Sequence, residues 1–556
     1  MLQEKNIMRI NQNIFLKIVS FFLFSIFLLV GLFSFRDYGL TIDEEFQRAS
    51  GFYWLDYVLN FTNFESLKTS VDEIISKPRH FTLPPPEEYN QWGVIFDLPM
   101  ALIETIFEIE DQKDYYHLRH FFNFILFFCS SIFFFKLLLN RFSNYKLSIL
   151  GTLFYVLSPR IYGNSFYNNK DLIFLSLLTI ALFFCFKLFE KINFKNLLLF
   201  SFFAAACTAS RVLGIFLLFS FIGFHFLSIS LDKVKINKFF PIIICCFFYS
   251  IFLIILWPYL WSSPIGNFIS AFKFFSNHYL DIKMLYDGDY IKSTNLPYMY
   301  ILKWIFITTP ILYIFLFLFG YLKTISNFFK NIFNMESYNS SVNFWESESE
   351  KKDLFILFNL TIILFYLILF KTVLYNGWRH IYFLNVFIIY FSTLGLYNIG
   401  LYLNSKFKTN LHYFITIIFL VSVSFKMISY HPFQSLYFNN YLKNITHEKF
   451  EIDYWGLSGK KFLNDLIESN KDKASIFVGV ASYLPLERSA YLLENKERKI
   501  INIVGQNYSE ADYIYTNFIY EEGKYKDFKY KIPENFTLIY DFKIDGFKVY
   551  EVYKKN

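Results

Sequence analysis

Residues 14–46 read IFLKIVSFFLFSIFLLVGLFSFRDYGLTIDEEF, an apolar run that stops at an acidic turn. The apolar part, residues 14–36, is long enough to cross a bilayer as one helix. The segment before it is basic, with Lys5 and Arg9, and the run lacks a small-residue cleavage site, so we expect a retained first helix and not a cleaved signal. The sequence therefore predicts a membrane helix that delivers three carboxylates to one membrane face: Asp43, Glu44 and Glu45.

The rest of the chain repeats this apolar pattern. Of its 556 residues, 55% are hydrophobic and 23% aromatic, while 18% are charged, against about 25% in typical globular proteins. Ten further apolar stretches approach the spanning length, although 147–160 and 196–209 are short: 118–139, 147–160, 171–189, 196–209, 211–230, 239–261, 299–321, 354–374, 380–403 and 411–430. These stretches exclude an ordinary soluble protein and predict a polytopic α-helical membrane protein with about eleven transmembrane helices.

Cysteine and charge usage exclude two further classes. The five cysteines all lie within apolar runs, where neither a disulfide framework nor a zinc site is expected. The net charge of +7 is spread over small clusters and forms no basic stripe or nucleic-acid-reading motif. We therefore expect a lipid bilayer, and no nucleic acid, as a partner.

The basic clusters predict an orientation, because short loops rich in Lys and Arg stay in the cytoplasm. If the N-terminus is cytoplasmic, alternation places every short basic loop on that side: Arg141 with Lys146, Lys191 with Lys195, Lys233 with Lys235 and Lys238, and Lys406 with Lys408. The outer side then receives residues 37–117, 160–170, 262–298, 375–379 and everything after 431.

Two extramembrane regions are expected on the outer side. The loop 37–117 is acidic, and its apolar segment Trp92–Phe107 is interrupted by charges and Pro99, so we expect a helix lying along the membrane surface. From residue 441 the composition becomes mixed, and its helix and strand signals are Lys460–Glu468, 475–480, 500–504, 512–516, 536–540 and 547–553, with a hairpin at Asp545-Gly546. We divide the chain into a membrane domain, residues 1–440, and a small α/β domain, residues 441–556.

The acidic turn after the first helix is the first candidate site. Carboxylates beside a membrane are costly unless they are solvated or used, which makes Asp43 and Glu44 candidates for chemistry. Thr41 and Glu44 also have the spacing of a capping box, and acidic residues in a first helical turn complement the helix dipole. Capping and chemistry both remain open for this turn.

A second outer segment, residues 158–171, joins two predicted helices and carries Arg160, Lys170 and Asp171. Asn169 or Asp171 could serve only to cap the following helix. Capping does not explain the two cations.

A third outer segment, Tyr375–His380, places Arg379 and His380 at the membrane boundary, where such residues are also common anchors. Arg211 separates two short apolar stretches and, as an ionisable group so placed, is a functional candidate.

Acids and cations that are distant in the sequence thus meet at one membrane face. Transfer from a lipid-phosphate donor needs this combination: a carboxylate to take a proton from the acceptor hydroxyl, and cations to hold the phosphate as it leaves. A phosphate leaves without protonation by a dedicated acid, so one base suffices.

The order of these features resembles the GT-C glycosyltransferases: a first helix with a basic start, an outer loop opening with Asp43-Glu44, a second outer turn ending in Asp171, many further helices and an outer α/β tail. More narrowly, the chain resembles the family-39 group that includes protein O-mannosyltransferases and the aminoarabinose transferase of lipid A. Four short sequences resemble bacterial members: Ser158-Pro159-Arg160, Asn169-Lys170-Asp171, Trp378-Arg379-His380 and Asp453-Tyr454-Trp455-Gly456. The resemblance spans most of residues 14–430.

The resemblance implies transfer of a sugar from a polyprenyl-phosphate donor to an acceptor hydroxyl, with inversion, on the periplasmic side of a bacterial inner membrane. Asp43 matches the family's catalytic aspartate, Glu44 its partner and Asp171 the second-loop acid. Arg379 lies where a family cation near the donor phosphate is expected. Electrostatic reasoning adds four residues to the donor-phosphate site: His380, Arg211, Lys170 and Arg160.

One departure from the family leaves the sugar and the acceptor open: Leu83-Pro84-Pro85-Pro86 replaces the His-Pro-Pro-like signature that is common in the first loop. The tail also lacks the repeats of eukaryotic O-mannosyltransferases, which favours a bacterial-type enzyme. Family 39 is regarded as metal-independent, so we expect no cofactor, although the acidic residues at positions 43, 44 and 171 could bind a divalent ion through oxygen.

Two other classes share parts of the pattern. A polyprenyl-linked glycan polymerase or ligase would use the same lipid-phosphate chemistry, but its main periplasmic loop is expected late in the chain. A transporter or flippase for a lipid-linked sugar is expected to have broken helices at mid-membrane and related halves, whereas the charges here gather at one face.

Overall fold

In the computed structural model, the described residues are 2–76, 86–231, 239–276, 280–333, 344–439, 446–520 and 528–556. Three predicted features lie outside them: the basic loop Lys233–Lys238, residues 83–85 of the proline segment, and the boundary between residues 440 and 441.

The chain is mostly helical. Within the described residues its helices are α1 Leu2–Ser34, α2 Glu44–Leu59, α3 Glu65–Ser76, α4 Asp97–Ile106, α5 Gln112–Phe142, α6 Tyr145–Val156, α7 Pro159–Tyr167, α8 Asp171–Glu190, α9 Phe194–Ser210, α10 Ile215–Leu231, α11 Phe240–Leu256, α12 Pro264–Ser276, α13 Tyr300–Thr308, α14 Ile311–Phe333, α15 Glu348–Leu369, α16 Leu384–Phe407, α17 Leu411–Tyr430, α18 Ser458–Ser469, α19 Glu487–Ala490 and α20 Asn495–Arg498. Its strands are β1 Lys283–Tyr286, β2 Asp289–Lys292, β3 Ile476–Val480, β4 Ile501–Gly505, β5 Tyr513–Thr516, β6 Phe536–Ile544 and β7 Phe547–Lys555.

Eight of the described helices are long and apolar enough to span a membrane: Asn13–Ser34, Gln112–Phe142, Asp171–Glu190, Val212–Ile229, Ile311–Phe333, Glu348–Leu369, Leu384–Phe407 and Leu411–Tyr430. Three shorter helices, α6, α9 and α11, are also apolar. Every predicted stretch contains or overlaps one of these helices, so the prediction of a multi-pass helical membrane protein is confirmed.

One span begins later than its apolar run predicted. The run 299–321 contains Pro310, and the structure has two helices there, α13 ending at Thr308 and α14 beginning at Ile311. Proline has no backbone N–H to donate and its ring clashes with the preceding turn, which explains the break. The spanning helix is therefore α14 and not residues 299–321.

Helix α8 lies at the centre of the bundle, and 83% of its apolar segment is buried inside the protein. It packs against α5 and α9, while α14 crosses α16 at close range. A Cβ atom at Gly320 would lie 2.2 Å from the Phe391 carbonyl oxygen, and one at Gly395 would lie 2.0 Å from that of Leu316. The crossing therefore requires glycine on both helices, as is common between membrane helices.

The extramembrane segments are partly helical. The predicted surface helix at Trp92–Phe107 is shorter than expected, because α4 begins only at Asp97. Its Met100 and Glu104 are buried, whereas Phe107, directly after it, is 71% exposed. The segment between α12 and α13 contains an antiparallel hairpin, β1–β2, that the sequence did not predict.

The C-terminal region forms a five-stranded sheet in the order β4-β3-β5-β7-β6, with α18 preceding it. Strands β4, β3 and β5 are parallel, and β7 runs antiparallel to β5 and β6. The predicted helix, the strand positions and the hairpin at Asp545-Gly546 are confirmed, and both turn residues have positive φ, which this hairpin turn requires.

The C-terminal domain contacts one end of the bundle, which we call the domain face. The backbones approach so closely that a Cβ atom at Gly39 would lie 2.5 Å from the Leu457 carbonyl oxygen. Arg488 donates to Glu45 at 3.2 Å, and Lys426 donates to Asp545 at 2.6 Å. These contacts bind the segment between α1 and α5, and the end of α17, to this domain.

At the opposite end, ion pairs link the helices. Arg141 of α5 donates to Asp353 of α15 at 2.7 Å, and Tyr390 of α16 donates to the same carboxylate at 2.6 Å. Lys352 pairs with Glu190 at 3.0 Å. Polar contacts therefore link the elements at both ends of the bundle.

Candidate functional site

Asp43 and Arg379 form an ion pair at the domain face. Arg379 Nη1 donates to Asp43 Oδ2 at 2.6 Å, across 336 positions of sequence. Asp43 precedes the first residue of α2, and Arg379 lies in a short 3₁₀ turn before α16. The Asp43 side chain is 39% exposed and that of Arg379 only 6%. The site therefore presents a carboxylate to solvent and backs it with a largely buried cation.

The local backbone and two aromatic rings hold Arg379 in place. The chain reverses through Asn376 and Gly377, which both have positive φ. The guanidinium carbon lies 4.8 Å from the centre of the Tyr375 ring and 4.4 Å from that of Trp455, a favourable placement for a cation. Burial acts to lower the pKa of Arg379, but Asp43, Tyr375 and Asp171 outweigh it and raise the pKa above the ordinary value. Arg379 is thus charged at all working pH values.

Asp171 forms a second pair, with Arg211. Asp171 is the first residue of α8, and Arg211 is the C-cap of α9, so the two helix ends bring them together. Asn168 Nδ2 donates to the same carboxylate at 2.9 Å, and the Asp171 backbone N–H donates to Asn168 Oδ1 at 2.9 Å. The residue that caps α8 with its side chain is therefore Asn168, and not Asn169 or Asp171 as expected.

Glu44 lies beneath the first pair and is 1% exposed. Its carboxylate accepts hydrogen bonds from the backbone and hydroxyl of Thr41, at 2.8 and 3.0 Å, and lies 2.9 Å from His120 Nε2. Half of the expected capping box thus forms. With these partners, Glu44 fixes the turn that presents Asp43.

The Lys170 ammonium contacts the segment before α4. It donates to the Gly93 carbonyl at 2.5 Å and lies 5.1 Å from the centre of the Trp92 ring. Burial lowers the pKa of Lys170 to about 8 and raises that of nearby Asp97 to about 6. These contacts of Lys170 therefore fix the segment just before α4.

Behind Lys170 lies a buried charge network that the sequence did not predict. Asn169 donates to Asp97 at 2.8 Å, and Arg119 Nη1 lies 3.7 Å from the same carboxylate. Glu104 accepts from Arg119 at 3.3 Å and from Arg48 Nε at 2.9 Å. The network links α2 and α4, which lie between α1 and α5, to α5.

The remaining predicted cations occupy different surroundings. Arg160 is 2% exposed, donates through Nε to the Tyr437 carbonyl at 2.9 Å and lies between the rings of Trp304 and Phe438. Its two terminal nitrogens have no hydrogen-bond partner among the described residues. His380 contacts the Tyr375 ring at 4.4 Å. The structure thus gathers Asp43, Glu44, Asp171, Arg211 and Arg379 with their partners, while Lys170 and Arg160 make their hydrogen bonds to backbone carbonyls of other segments.

Two further residues join the site from the segment that opens the C-terminal domain. Glu451 accepts long hydrogen bonds from the Leu285 amide at 3.4 Å and from Asn376 at 3.5 Å. Burial raises the pKa of Glu451 to about 7, although nearby Arg379 lowers it. Trp455 contacts Arg379, as described above. The sequence signal for Trp455 was the short motif at residues 453–456, and Glu451 lies just before that motif.

The three predicted carboxylates each face a different cationic or protonatable group: Asp43 faces Arg379, Glu44 faces His120 and Asp171 faces Arg211. Among the described residues no group of three His, Cys, Asp or Glu side chains is placed to hold a metal ion. The oxygen-ligand set considered from the sequence is therefore not assembled in this arrangement.

No protein-family model and no curated protein sequence matches the chain. Among solved structures, the chain is similar to ArnT from Cupriavidus metallidurans in the apo state, with 10% identity, a TM-score of 0.44 and coverage of 96% of this chain and 98% of that one. It is also similar to the oligosaccharyltransferase of Archaeoglobus fulgidus in the apo form, with 10% identity, a TM-score of 0.43 and 76% of this chain covered. It spans 57% of the length of that enzyme.

A third similar structure is the archaeal oligosaccharyltransferase AglB from Archaeoglobus fulgidus in complex with an inhibitory peptide and a dolichol-phosphate, with 10% identity, a TM-score of 0.40 and coverage of 77% and 61%.

Proposed function

We propose that the protein is a membrane glycosyltransferase that moves a sugar from a polyprenyl-phosphate donor to an acceptor hydroxyl, with inversion. The reaction takes place at the domain face, which is the periplasmic face of a bacterial inner membrane in this proposal. One observation carries it: the exposed carboxylate of Asp43 lies 2.6 Å from the buried guanidinium of Arg379. A proton acceptor and a phosphate-binding cation thus lie next to each other at the end of a membrane bundle.

In the proposed step the acceptor oxygen attacks the anomeric carbon from the side opposite the phosphate. The bond between that carbon and the phosphate oxygen breaks, and its electron pair stays on the polyprenyl phosphate. Asp43 takes the proton of the acceptor hydroxyl, a contribution of about 10²- to 10⁴-fold for a positioned general base. Attack from the opposite side inverts the configuration of the sugar.

Arg379 has donors to spare for the leaving phosphate. One of its terminal nitrogens donates to Asp43, while its Nε is buried and has no partner among the described residues. A guanidinium has five N–H donors in one plane, a geometry that suits phosphate oxygens. The rings of Tyr375 and Trp455 fix that plane, so Arg379 can stabilise the charge that develops on the phosphate without reorganising.

The other predicted residues support this pair. Glu44 holds the turn of Asp43 through Thr41 and His120. Asp171 and Arg211 form the second acid–cation pair, which we assign to the sugar hydroxyls and the phosphate respectively. Positive electrostatic potential around the donor phosphate comes also from His380, Lys170 and Arg160. Its effect is larger where water is excluded, because the local dielectric constant is low. The proposal uses no metal ion or other cofactor.

The proposal is tested with purified protein in lipid and a panel of radiolabelled polyprenyl-phosphate sugars, supplied with membrane extract as the source of acceptor. Transfer from one donor, with a product of the anomeric configuration opposite to that of the donor, supports it. Transfer with retained configuration would exclude the single displacement through Asp43. Transport of a lipid-linked sugar without transfer would favour the transporter.

A further inference from the structure

Trp455 belongs to the segment that opens the C-terminal domain, yet its side chain lies among the charged groups of the membrane domain. It is 3% exposed. Its ring lies 4.4 Å from the guanidinium carbon of Arg379, and the Tyr375 ring lies 4.8 Å from the same atom. Trp455 therefore forms one of the aromatic contacts that set the orientation of Arg379.

The indole N–H of Trp455 makes a second connection. It donates to Asn164 Oδ1 of α7 at 3.1 Å. Asn168 Nδ2 donates to that same oxygen at 3.2 Å and to Asp171 Oδ2 at 2.9 Å. A continuous path of contacts thus runs from Arg379 through Trp455 and two asparagines to Asp171.

The backbone around Trp455 is itself fixed. The carboxylate of Asp453 accepts hydrogen bonds from the Leu457 and Ser458 amides, both at 3.0 Å. Gly456 has φ +75°, a conformation that favours glycine. The Tyr454 hydroxyl lies 3.2 Å from that of Tyr382 in the membrane domain. The indole is therefore held from the side of the C-terminal domain and from that of the bundle.

We propose that Trp455 is a positioning residue that sets Arg379 and Asp171 relative to each other, so that the C-terminal domain supplies part of the transferase site. This inference rests on the proposed function. The ring keeps the Arg379 guanidinium in the plane that faces the donor phosphate, and the indole N–H holds Asp171 through Asn164 and Asn168. The C-terminal domain is then needed for the transfer step itself, separately from any role in binding the acceptor.

The experiment compares three variants in full-length protein. Trp455→Phe keeps a ring on Arg379 and loses the indole N–H, Asn164→Ala removes the acceptor of that hydrogen bond, and the double variant combines them. Loss of one such hydrogen bond lowers kcat about 3- to 10-fold with little change in KM for the donor. Because both substitutions break the same path, the double variant is expected to be no slower than the slower single variant.

Trp455→Leu removes the ring as well, and we expect it also to weaken binding of polyprenyl phosphate alone, measured without any acceptor. Trp261→Phe is the matched control, because Trp261 also donates through its indole N–H, to the Ile254 carbonyl at 2.7 Å, but lies outside the site. Its activity is expected to equal that of the unmodified protein. Equal thermal midpoints for all variants exclude misfolding as the cause.

Effects of Trp455→Phe and Asn164→Ala that multiply in the double variant would overturn the proposed path, since independent sites add in free energy. Unchanged phosphate binding by Trp455→Leu would overturn the role of the ring. If the unmodified protein neither binds polyprenyl phosphate nor transfers a sugar, the proposed function itself fails, and the role of Trp455 falls with it.

Discussion

Two clusters of charged side chains lie at the domain face, built from the same residue types in different surroundings. Asp43 is 39% exposed and forms an ion pair with Arg379. Glu104 is 1% exposed and lies between two arginines, Arg48 and Arg119. The Asp43 carboxylate is open on one side, whereas that of Glu104 is buried between its two arginines. In both clusters an arginine Nε has no partner among the described residues, on Arg379 in the first and on Arg119 in the second.

The difference separates chemistry from support. The Asp43 carboxylate is partly open to solvent, so it can take up a contact with a ligand while Arg379 stays buried behind it. Removing one partner of a buried pair costs about 3–5 kcal/mol, because the other charge is left uncompensated. The partly exposed carboxylate of Asp43 is therefore suited to react, and the buried network is suited to hold the segment between α1 and α5 against α5.

The largest expected effect is on activity, from Asp43→Asn. The amide keeps a hydrogen-bond acceptor for Arg379 but cannot take the acceptor proton, so the transfer rate is expected to fall about 10³-fold. Because the amide oxygen still accepts the hydrogen bond of Arg379, the variant should remain folded, which its thermal midpoint checks. Asp37→Asn is the matched control, because Asp37 lies in the same loop and pairs with His431 at 2.9 Å. Asp37→Asn should transfer the sugar at the rate of the unmodified protein. An equal loss of rate in both variants would show that Asp43 does not differ from a neighbouring carboxylate.

Glu104→Gln is expected to show the reverse pattern. It leaves Arg48 and Arg119 without their shared carboxylate and should lower the free energy of unfolding by about 3–5 kcal/mol. Activity per folded molecule should stay within a factor of a few. Thermal unfolding in detergent measures the loss, with Glu348→Gln, whose carboxylate is 59% exposed, as the control. A stable but inactive Glu104→Gln variant would place the buried network in the chemistry.

Arg379→Lys sharpens the comparison at the cationic side of the site. The ammonium keeps the charge but loses the planar fork and the stacking between Tyr375 and Trp455. Loss of one charge-assisted hydrogen bond predicts a decrease of about 10- to 100-fold in kcat/KM for the donor. Arg141→Lys, in the pair with Asp353 at the opposite end of the bundle, should leave donor kinetics unchanged. Equal effects at the two ends would indicate a general loss of structure.

The smallest expected effect is a change in pH dependence. Burial raises the pKa of Asp97 to about 6 from an ordinary value of 3.8. Between these values the folded protein holds a proton that the unfolded chain has released, so this group makes stability fall as pH rises from about 4 to 6. Asp97→Asn should flatten that part of the curve of thermal midpoint against pH. Asp56→Asn, at the more exposed pair with Lys68, should not. A wild-type slope that survives in Asp97→Asn would assign it to another group.

The spanning helices could be predicted because each is an apolar run of sufficient length, and the C-terminal strands because their alternation and the Asp545-Gly546 turn are local signals. Pro310 is a sequence signal for the break between α13 and α14, but the apolar run 299–321 around it led to the prediction of one span. The hairpin β1–β2 was missed, although its turn Asp287-Gly288 is the same kind of local signal as Asp545-Gly546 and both of its residues have positive φ.

The candidate site was predicted in part for similar reasons. Asp43, Asp171 and Arg379 lie in short polar segments directly beside apolar runs, which marks them locally. Glu104 and Arg119 carry no local sign of being buried together, because their pairing depends on how α4 packs on α5. Glu451 and Trp455 come from the other domain, so their place beside Arg379 follows only from the docking of that domain.

The most direct test of the central claim measures release of polyprenyl phosphate in a single turnover by the purified protein in lipid, for the unmodified chain, Asp43→Asn and Arg379→Lys. The account predicts release by the unmodified protein, release about 10³-fold slower with Asp43→Asn, and an intermediate rate with Arg379→Lys. Release by Asp43→Asn at the unmodified rate, from a protein that transfers the sugar, would contradict the assignment of Asp43 as the base.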